Sequence, residues 1–579
     1  MEAVRRQGAE KTISVRCMGR SALVFSSAQA WLEKQIAGRG LGSFLLCLLC
    51  LSLYLPGIVS LPPTDRDEAR YIQASKQMLE TGDYVHIRFQ ESPREKKPVG
   101  IYWLQSISAK LFGGPAAPIV AYRIPSVIAA ILAVLLLYGI GVTLWGAQAG
   151  WWSAVMLASS LVVVAEAHLA KTDAVLLLCA VSCLRGLTVL YTTGAIRPSY
   201  RYLFWVGLGF GALVKGPVLP GLVGVTAATM VLVRRSWQFL KPLKPISGAL
   251  LASSIVLPWV IALWWTGSLQ FIERSISGDI LPKVVGAHES HGGPPGFYLL
   301  TGTVAFWPWS FLAIPALWWA WQERSRREVQ ALLCWLLPSW VIIELVPTKL
   351  PHYSLPLFPA LALLCSGCIH EYDTGQWPLS HPRLYRLIRR GWGGIVGVLW
   401  VVLLGASIYW GSWVVAGTAA LIAAGVAVVV LDVAGPSNQG SGEKPQILSL
   451  RLLAVGWMTA VAFFGAIFPN LEAMWVSRQL VAAILPHRAD FAQPVFLAGY
   501  SEPSAVVLLG TGTRIGTGHE AAEQLQAHTI QIAAVEDREA VAFRKFLGPA
   551  EAQLKEYGTV RGFNYSKGKR VTLKLYGLH

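Results

Sequence analysis

Across 579 residues, 54% are hydrophobic, only 14% are charged, 24 are tryptophan, and the mean hydropathy is +0.49, which excludes an ordinary soluble domain and indicates a membrane protein. The formal net charge of +17 suits basic loops on one side of a bilayer. Nucleic acid is therefore not needed as a partner, and phosphate-bearing lipids fit better. Seven of the eight cysteines fall in apolar segments and Cys17 falls in the basic N-terminal arm, so no disulfide framework is expected.

In chain order, residues 1–40 read as a basic cytoplasmic arm. Apolar runs of spanning length follow near 41–61, 118–145, 150–166, 172–193, 200–214, 217–233, 246–266, 297–321, 329–347, 354–370, 392–411, 413–432 and 450–468. The pattern predicts an α-helical polytopic membrane protein with about 13 transmembrane helices. Within 118–166 the apolar residues also admit another division into short spans. The first run shows no small-residue cleavage site and reads as a retained span rather than a signal peptide.

The basic stretches are the N-terminal arm, "RRSWQFLKPLK" (234–244), "QERSRRE" (322–328) and "HPRLYRLIRR" (381–390). With the N-terminus cytoplasmic, thirteen spans put them all inside, as the positive-inside rule requires. The outer side then holds 62–117, 167–171, 215–217, 267–296, 348–353 and everything after 469. The division expected is 41–469 for the membrane domain and 470–579 for a small soluble α/β domain, periplasmic in a bacterium. In that domain "PVFLAGY" and "AVVLLG" read as strand-forming and "HEAAEQLQAH" as helical. "GTGTRIG" reads as a strand-to-helix turn or, on its Gly-x-Gly, a weak nucleotide-binding signal.

Most of the unusual polar residues lie on the expected outer side. In "PPTDRDEARYIQASKQML", Thr64 or Asp65 is placed to cap an interfacial helix, with Asp65 and Glu68 as a capping box. Capping leaves Asp67 and Arg70 unexplained. "REKKPVGIYWLQ" opens with Arg94, Glu95, Lys96 and Lys97, either a solvated turn before a second amphipathic stretch or a phosphate clamp from Lys96 and Lys97. "AEAHLAKTDAV" crowds Glu166, His168, Lys171 and Asp173 into one turn, where ionisable groups pair or line a cavity. His168 with Glu166 or Asp173 is one reading as a metal site, although its spacing is not diagnostic. Lys215 ends the fifth apolar run, either snorkelling or facing a cavity, while Glu344, Lys349, His352 and Tyr353 surround a Pro-bounded turn. His288 and His291, in "HESHGGPPG", read as part of a flap or of a plain solvated loop.

"DEARYIQASKQMLETGDY", "KKPVGIYWLQ", "KTDAVLL", "VKGPV" and "TKLPHYSLP", in that order over residues 40–370, resemble the bacterial lipid A aminoarabinose transferases and the related protein O-mannosyltransferase-like enzymes. These are polytopic GT-C glycosyltransferases. The resemblance implies transfer of a sugar from a polyprenyl-phosphate donor to lipid A, another envelope glycolipid or a protein, on the periplasmic face of the inner membrane. It implies catalytic roles for Asp67 and Asp173, and donor-phosphate contacts from Arg70, Lys97, Lys215 and Tyr353. The transfer chemistry so implied requires no cofactor, since lysine and arginine can meet the phosphate charge. Independently of the resemblance, the convergence of Glu95, Lys96, Lys171, Glu344, Lys349, His352 and His291 on the outer side suggests that they reach one water-accessible cavity. Where those transferases usually read Glu-Lys-Pro, this chain reads Lys96-Lys97-Pro98.

Two other classes compete with a transferase. A lipid-linked sugar flippase also needs a polar cavity, but flippases and transporters usually show repeats and mid-membrane charge. A scaffold for residues 470–579 leaves the outer lysines and aspartates without a role.

Overall fold

A computed structural model describes residues 39–275, 277, 292–373, 382–434, 445–487 and 493–578. The described part of the membrane region is almost entirely helical. In order it comprises α1 (Arg39–Tyr54), α2 (Asp67–Thr81), α3 (Gly100–Leu111), α4 (Ile119–Trp145), α5 (Ala147–Ser159), α6 (Leu161–Ala167), α7 (Asp173–Thr193), α8 (Pro198–Lys215), α9 (Val218–Arg234) and α10 (Pro245–Trp265). It continues with α11 (Gln270–Ser275), α12 (Phe297–Ala305), α13 (Ser310–Gln322), α14 (Arg327–Leu345), α15 (Phe358–Asp373), α16 (Pro382–Trp410), α17 (Trp413–Ala434) and α18 (Pro445–Val461).

Every predicted apolar run overlaps at least one of these helices. By length and composition, eight described helices suffice to cross a membrane, or nine if a bent pair counts as one span. That pair is α5 and α6, which meet at 61° within the run predicted as a single span over 150–166. Ser160 is extended there, and the freed Leu161 N–H donates to Trp307 O at 2.9 Å, as a break inside hydrocarbon requires. The run at 297–321 is likewise divided, into α12 and α13.

Buried indoles tie the bundle together. Trp309 Nε1 donates to Ser159 Oγ at 2.9 Å, and Trp335 Nε1 to Pro356 O at 2.8 Å. Phe44, Leu232, Ile246, Trp265, Val398 and Trp413 face outward, as lipid-contacting residues do.

The C-terminal region adds α19 (Val476–Ile484), α20 (Pro503–Leu509), α21 (Gly518–Gln526) and α22 (Ala540–Leu547) around a five-stranded sheet. Its strands are β3 (Phe496–Ala498), β4 (Arg514–Gly516), β5 (Ala533–Glu536), β6 (Leu554–Asn564) and β7 (Lys569–Leu578), in the order β4-β3-β5-β7-β6. A two-stranded hairpin, β1 (Arg88–Phe89) with β2 (Ser92–Pro93), precedes α3. β3 pairs in parallel with β4 and β5, and the β6–β7 hairpin joins antiparallel. Alternation sends Leu497 to the α19–α20 side and Phe496 and Ala498 to the α21–α22 side, giving three layers.

"AVVLLG" is not a strand but lies largely in α20. Pro503 starts the helix, Ala505 and Leu509 pack under the sheet, and Val507 packs with Ala69 and Ile72 of α2. Burial on both sides overrides the β-preference of its valines. "GTGTRIG" is consequently a helix-to-strand turn, and its Thr511 and Thr513 hold Gln73, Glu80 and Gln90 of the membrane region.

Candidate active site

The segment entering α2 is fixed from two sides. From the membrane side, Glu68 is wholly buried against Arg123 of α4, with Arg123 Nε to Glu68 Oε1 at 2.8 Å. Burial pushes the Glu68 carboxyl up, but Arg123 and the N–H groups of Thr64 and Ala170 outweigh it and hold the group below its ordinary range. From the other side, the β6–β7 turn grips Asp65 and Arg66. Asp65 N–H donates to Tyr565 Oη at 2.7 Å, and Arg66 Nη2 donates to Ser566 O at 2.5 Å.

The predicted capping box is therefore replaced. Asp65 accepts from Ser504 N–H at 3.2 Å instead of capping α2, and the residue at the cap, Arg66, has φ 66° and no side-chain cap. A non-glycine residue held there needs outside support, which the C-terminal domain gives. The helix is packed into the protein rather than laid on its surface: Tyr71, Ile72, Ala74 and Met78 are all buried.

Burial, aided by Glu502, pushes Asp65 up to about 6 against the lowering effect of its Ser504 bond. An acid whose folded pKa is raised contributes stability fully below its ordinary pKa and loses that contribution as pH rises through the raised value. Asp65→Asn is expected to melt at the same temperature as wild type near pH ~4 and at a higher temperature above pH ~6. Identical melting curves at pH 7 would contradict this.

Held in this way, Asp67 begins α2, where the helix dipole favours a carboxylate, and stays accessible to solvent. Its recessed position pushes the carboxyl up, but the positive charges of Lys171 and Arg94 outweigh that effect and hold it below the usual range. Arg70 is three residues further along the same helix, half-buried.

The α6–α7 turn supplies a chain of charges. Lys171 Nζ lies 3.0 Å from Glu166 Oε1 and 3.9 Å from Asp173 Oδ2, and Lys215 Nζ lies 2.5 Å from Asp173 Oδ1. Burial alone would lower the Lys171 pKa, but Glu166, Asp173 and Asp67 raise it, so it stays cationic. Lys215 also lies 5.2 Å from the centre of the Tyr353 ring.

The Lys96-Lys97-Pro98 turn reaches this cluster because α3 begins against the end of α8. A Cβ at Gly100 would stand 2.8 Å from Leu213 O, so a side chain there would push the two apart. Lys97, Asp173, Lys215, His352 and Tyr353 all line one cavity of about 350 Å³. Away from these polar groups its wall is apolar, with Leu222 and Val225 of α9 facing Ile342 and Ile343 of α14. It is a greasy groove with cations at its head.

Several predicted residues lie elsewhere. Glu95 pairs with Arg274 of α11 at 3.2 Å. Glu344 accepts from the N–H groups of Gly296, Phe297 and Tyr298, and pairs with Lys349 at 2.8 Å, while Lys349 also donates to Pro294 O. That pair anchors the start of α12 rather than the cavity. Lys96 is half-buried in the turn beside Lys97. His291 and the flap expected around it lie outside the described residues.

His168 does not join its acidic neighbours. Its two ring nitrogens contact Val164 O and Pro56 O, and its ring stacks on Phe464. Among the described residues no group of three His, Cys, Asp or Glu side chains is arranged to hold a metal ion. All seven described cysteines are free thiols.

Arg94 belongs to the site, a role that its place in the chain did not disclose. It is buried, donates to Tyr102 Oη at 3.2 Å, lies 5.1 Å from the centre of the Tyr71 ring and faces Asp67. As the first member of a run of four charges it looked like solvated surface. Arg123 was missed as well, although an arginine inside an apolar span signals a buried partner or a function.

Residues 96–264 match the family described as dolichyl-phosphate-mannose-protein mannosyltransferase. In structure, the chain superposes on ArnT from Cupriavidus metallidurans, in the apo state, with a TM-score of 0.70, at 17% identity, covering 95% of this chain and 98% of that one. The fold is of the GT-C type. The same enzyme bound to undecaprenyl phosphate gives an equal TM-score of 0.70 over 94% of this chain.

In sequence, this chain is 31% identical over 303 residues to the undecaprenyl phosphate-alpha-4-amino-4-deoxy-L-arabinose arabinosyl transferase of Pseudomonas aeruginosa (strain UCBPP-PA14), covering 52% of this chain and 54% of the relative. It is 26% identical over 403 residues to the corresponding transferase 2 of Proteus mirabilis (strain HI4320), covering 65% and 69%. The chain thus spans about half the length of the first of these relatives and more of the second. The resemblance to the aminoarabinose transferases is met in both sequence and fold, and that to the O-mannosyltransferases in sequence over residues 96–264.

Proposed function

We propose that the protein is a glycosyltransferase of the bacterial inner membrane that moves a hexose or pentose from a polyprenyl-phosphate donor to lipid A or another envelope glycolipid on the periplasmic face. The observation that carries this reading is the apolar groove whose head holds Lys97 and Lys215. A prenyl chain fits the wall between α9 and α14, and its phosphate meets the two lysines. The similarity to transferases named for undecaprenyl-phosphate donors supports the same assignment.

Transfer breaks the anomeric C–O bond to the donor phosphate and forms a new bond from that carbon to an acceptor oxygen. Negative charge grows on the departing phosphate. Lys97 and Lys215 stabilise it, with Tyr353 as hydrogen-bond donor and Arg70 as a further cation. Asp67 takes the proton of a hydroxyl acceptor; with a phosphate acceptor no proton is removed, and Asp67 positions the incoming group. Asp173 holds Lys215 and Lys171 in place between turnovers. The N-terminus is cytoplasmic and residues 470–579 are periplasmic in this reading, which puts the cavity and the C-terminal domain on one side.

Protein O-glycosylation from the same donor class is the second reading, favoured by the description of the family matched at 96–264. Mass spectrometry of envelope glycolipids decides between them. Cells with wild-type protein are expected to show a sugar mass increment that is absent without the protein and reduced ~100-fold by Lys97→Ala with Lys215→Ala. An unchanged glycolipid profile with a lost glycoprotein signal would establish the second reading. Loss of periplasmic lipid-linked sugar with no missing product would instead indicate a flippase.

A further inference from the structure

A second and larger cavity, of about 730 Å³, opens at the other end of the bundle, between α1, α4, α7 and the start of α8. Arg185 projects into it. This residue is twelve positions beyond Asp173 on α7, about 18 Å along the helix axis. It is only 9% exposed. Nη1 donates to Leu136 O at 3.1 Å, Nη2 donates to Tyr200 Oη at 2.6 Å, and the guanidinium lies over the Tyr200 ring. Its Nε, also buried, makes no hydrogen bond, and among the described residues no carboxylate pairs with it.

The surroundings are built to hold the cation. A Cβ at Gly139 of α4 would stand 2.2 Å from Arg185 Nη1, so the missing side chain leaves the guanidinium its place. Thr143 and Thr193 lie at the mouth with the exposed Arg197, while Leu135 and Val142 give an apolar wall. A cation within a membrane span, satisfied only by neutral acceptors and left with an unused donor, calls for an anion. An arginine fork matches phosphate oxygens, and the second arginine at the rim suits the same group.

We propose that this cavity binds a phosphate group, carried by an anionic phospholipid headgroup or present as free phosphate. The apolar wall beside the fork and the position near one end of the spans suit a lipid. The site is separate from the Lys97–Lys215 groove and does not depend on the reaction assigned there.

Native mass spectrometry and thermal melting of the purified, delipidated full-length protein test it. The probes are phosphatidylglycerol, phosphatidylcholine and inorganic phosphate. Wild type is expected to hold one phosphatidylglycerol about tenfold more tightly than phosphatidylcholine, and Arg185→Gln to lose that preference. Thr143→Trp, which obstructs the mouth and leaves the guanidinium in place, is expected to lose it too and decides the matter if Arg185→Gln does not fold. An adduct that survives excess inorganic phosphate identifies a lipid. Stabilisation by inorganic phosphate in wild type alone, with no lipid preference, identifies the free anion. Equal behaviour of wild type and folded variants towards all three probes overturns the proposal.

Discussion

Asp67→Asn is expected to lower the turnover of sugar transfer by about 10²–10⁴-fold with a hydroxyl acceptor, the usual contribution of a positioned general base. The change keeps the shape of the side chain and removes its charge. Because Lys171 and Arg94 hold the Asp67 carboxyl below its ordinary range, wild type should keep this base ionised through neutral pH. Its share of the rate should decline only as pH falls below that of an ordinary carboxylate, about 4. In the variant the same two cations lose their counter-charge, so donor phosphate should bind no more weakly than before. The expected signature in steady-state kinetics with a polyprenyl-phosphate sugar is a collapse of kcat with donor KM unchanged or lowered. A large rise in donor KM with kcat preserved would reassign Asp67 to donor binding, and loss of less than about threefold in both would remove it from the chemistry.

The order of the outer-side motifs pointed to this fold because each motif is local. "KTDAV" and "VKGPV" keep their charges at helix ends, and hydrocarbon on either side makes those charges conspicuous. Asp67 was legible because capping left it over. What stayed hidden depends on contacts that exist only once the chain is folded. Arg94 gains its meaning from Tyr71 and Tyr102, and Asp65 from Ser504 and Tyr565, more than 400 residues away. Glu344 and Lys349 looked like cavity residues because they neighbour His352, yet the backbone amides that begin α12 claim the carboxylate. The bend between α5 and α6 was illegible for another reason: only the small Ser159 and Ser160 mark it within an apolar run, and the acceptor that permits the break, Trp307 O, lies on a distant segment.

Arg123→Met is expected to destabilise the protein by about 3–5 kcal/mol, the usual effect of breaking a buried ion pair from one side. Both side chains are fully buried. Besides its two bonds to Glu68, the guanidinium donates to Ile58 O at 2.8 Å, Leu61 O at 2.7 Å and Pro62 O at 3.0 Å. Glu68 in turn accepts from Thr64 and from Ala170 N–H. One pair thus joins the turn after α1, the first turn of α2, the body of α4 and the turn carrying Lys171. Glu68→Gln should cost less, since the amide keeps the shape and some bonds while Arg123 retains three carbonyl acceptors. The double variant should recover part of the loss, because no buried charge is then left unpaired. The Glu68 pKa is depressed in the fold, so its contribution is complete above the ordinary carboxylate pKa and is lost as pH falls through the depressed value. Melting in detergent at neutral and acid pH measures both effects. Activity should fall in any folded Arg123 variant as well, because Glu68 is the residue next to Asp67; full turnover in a stable Arg123→Met protein would show that Asp67 is positioned by the C-terminal domain alone.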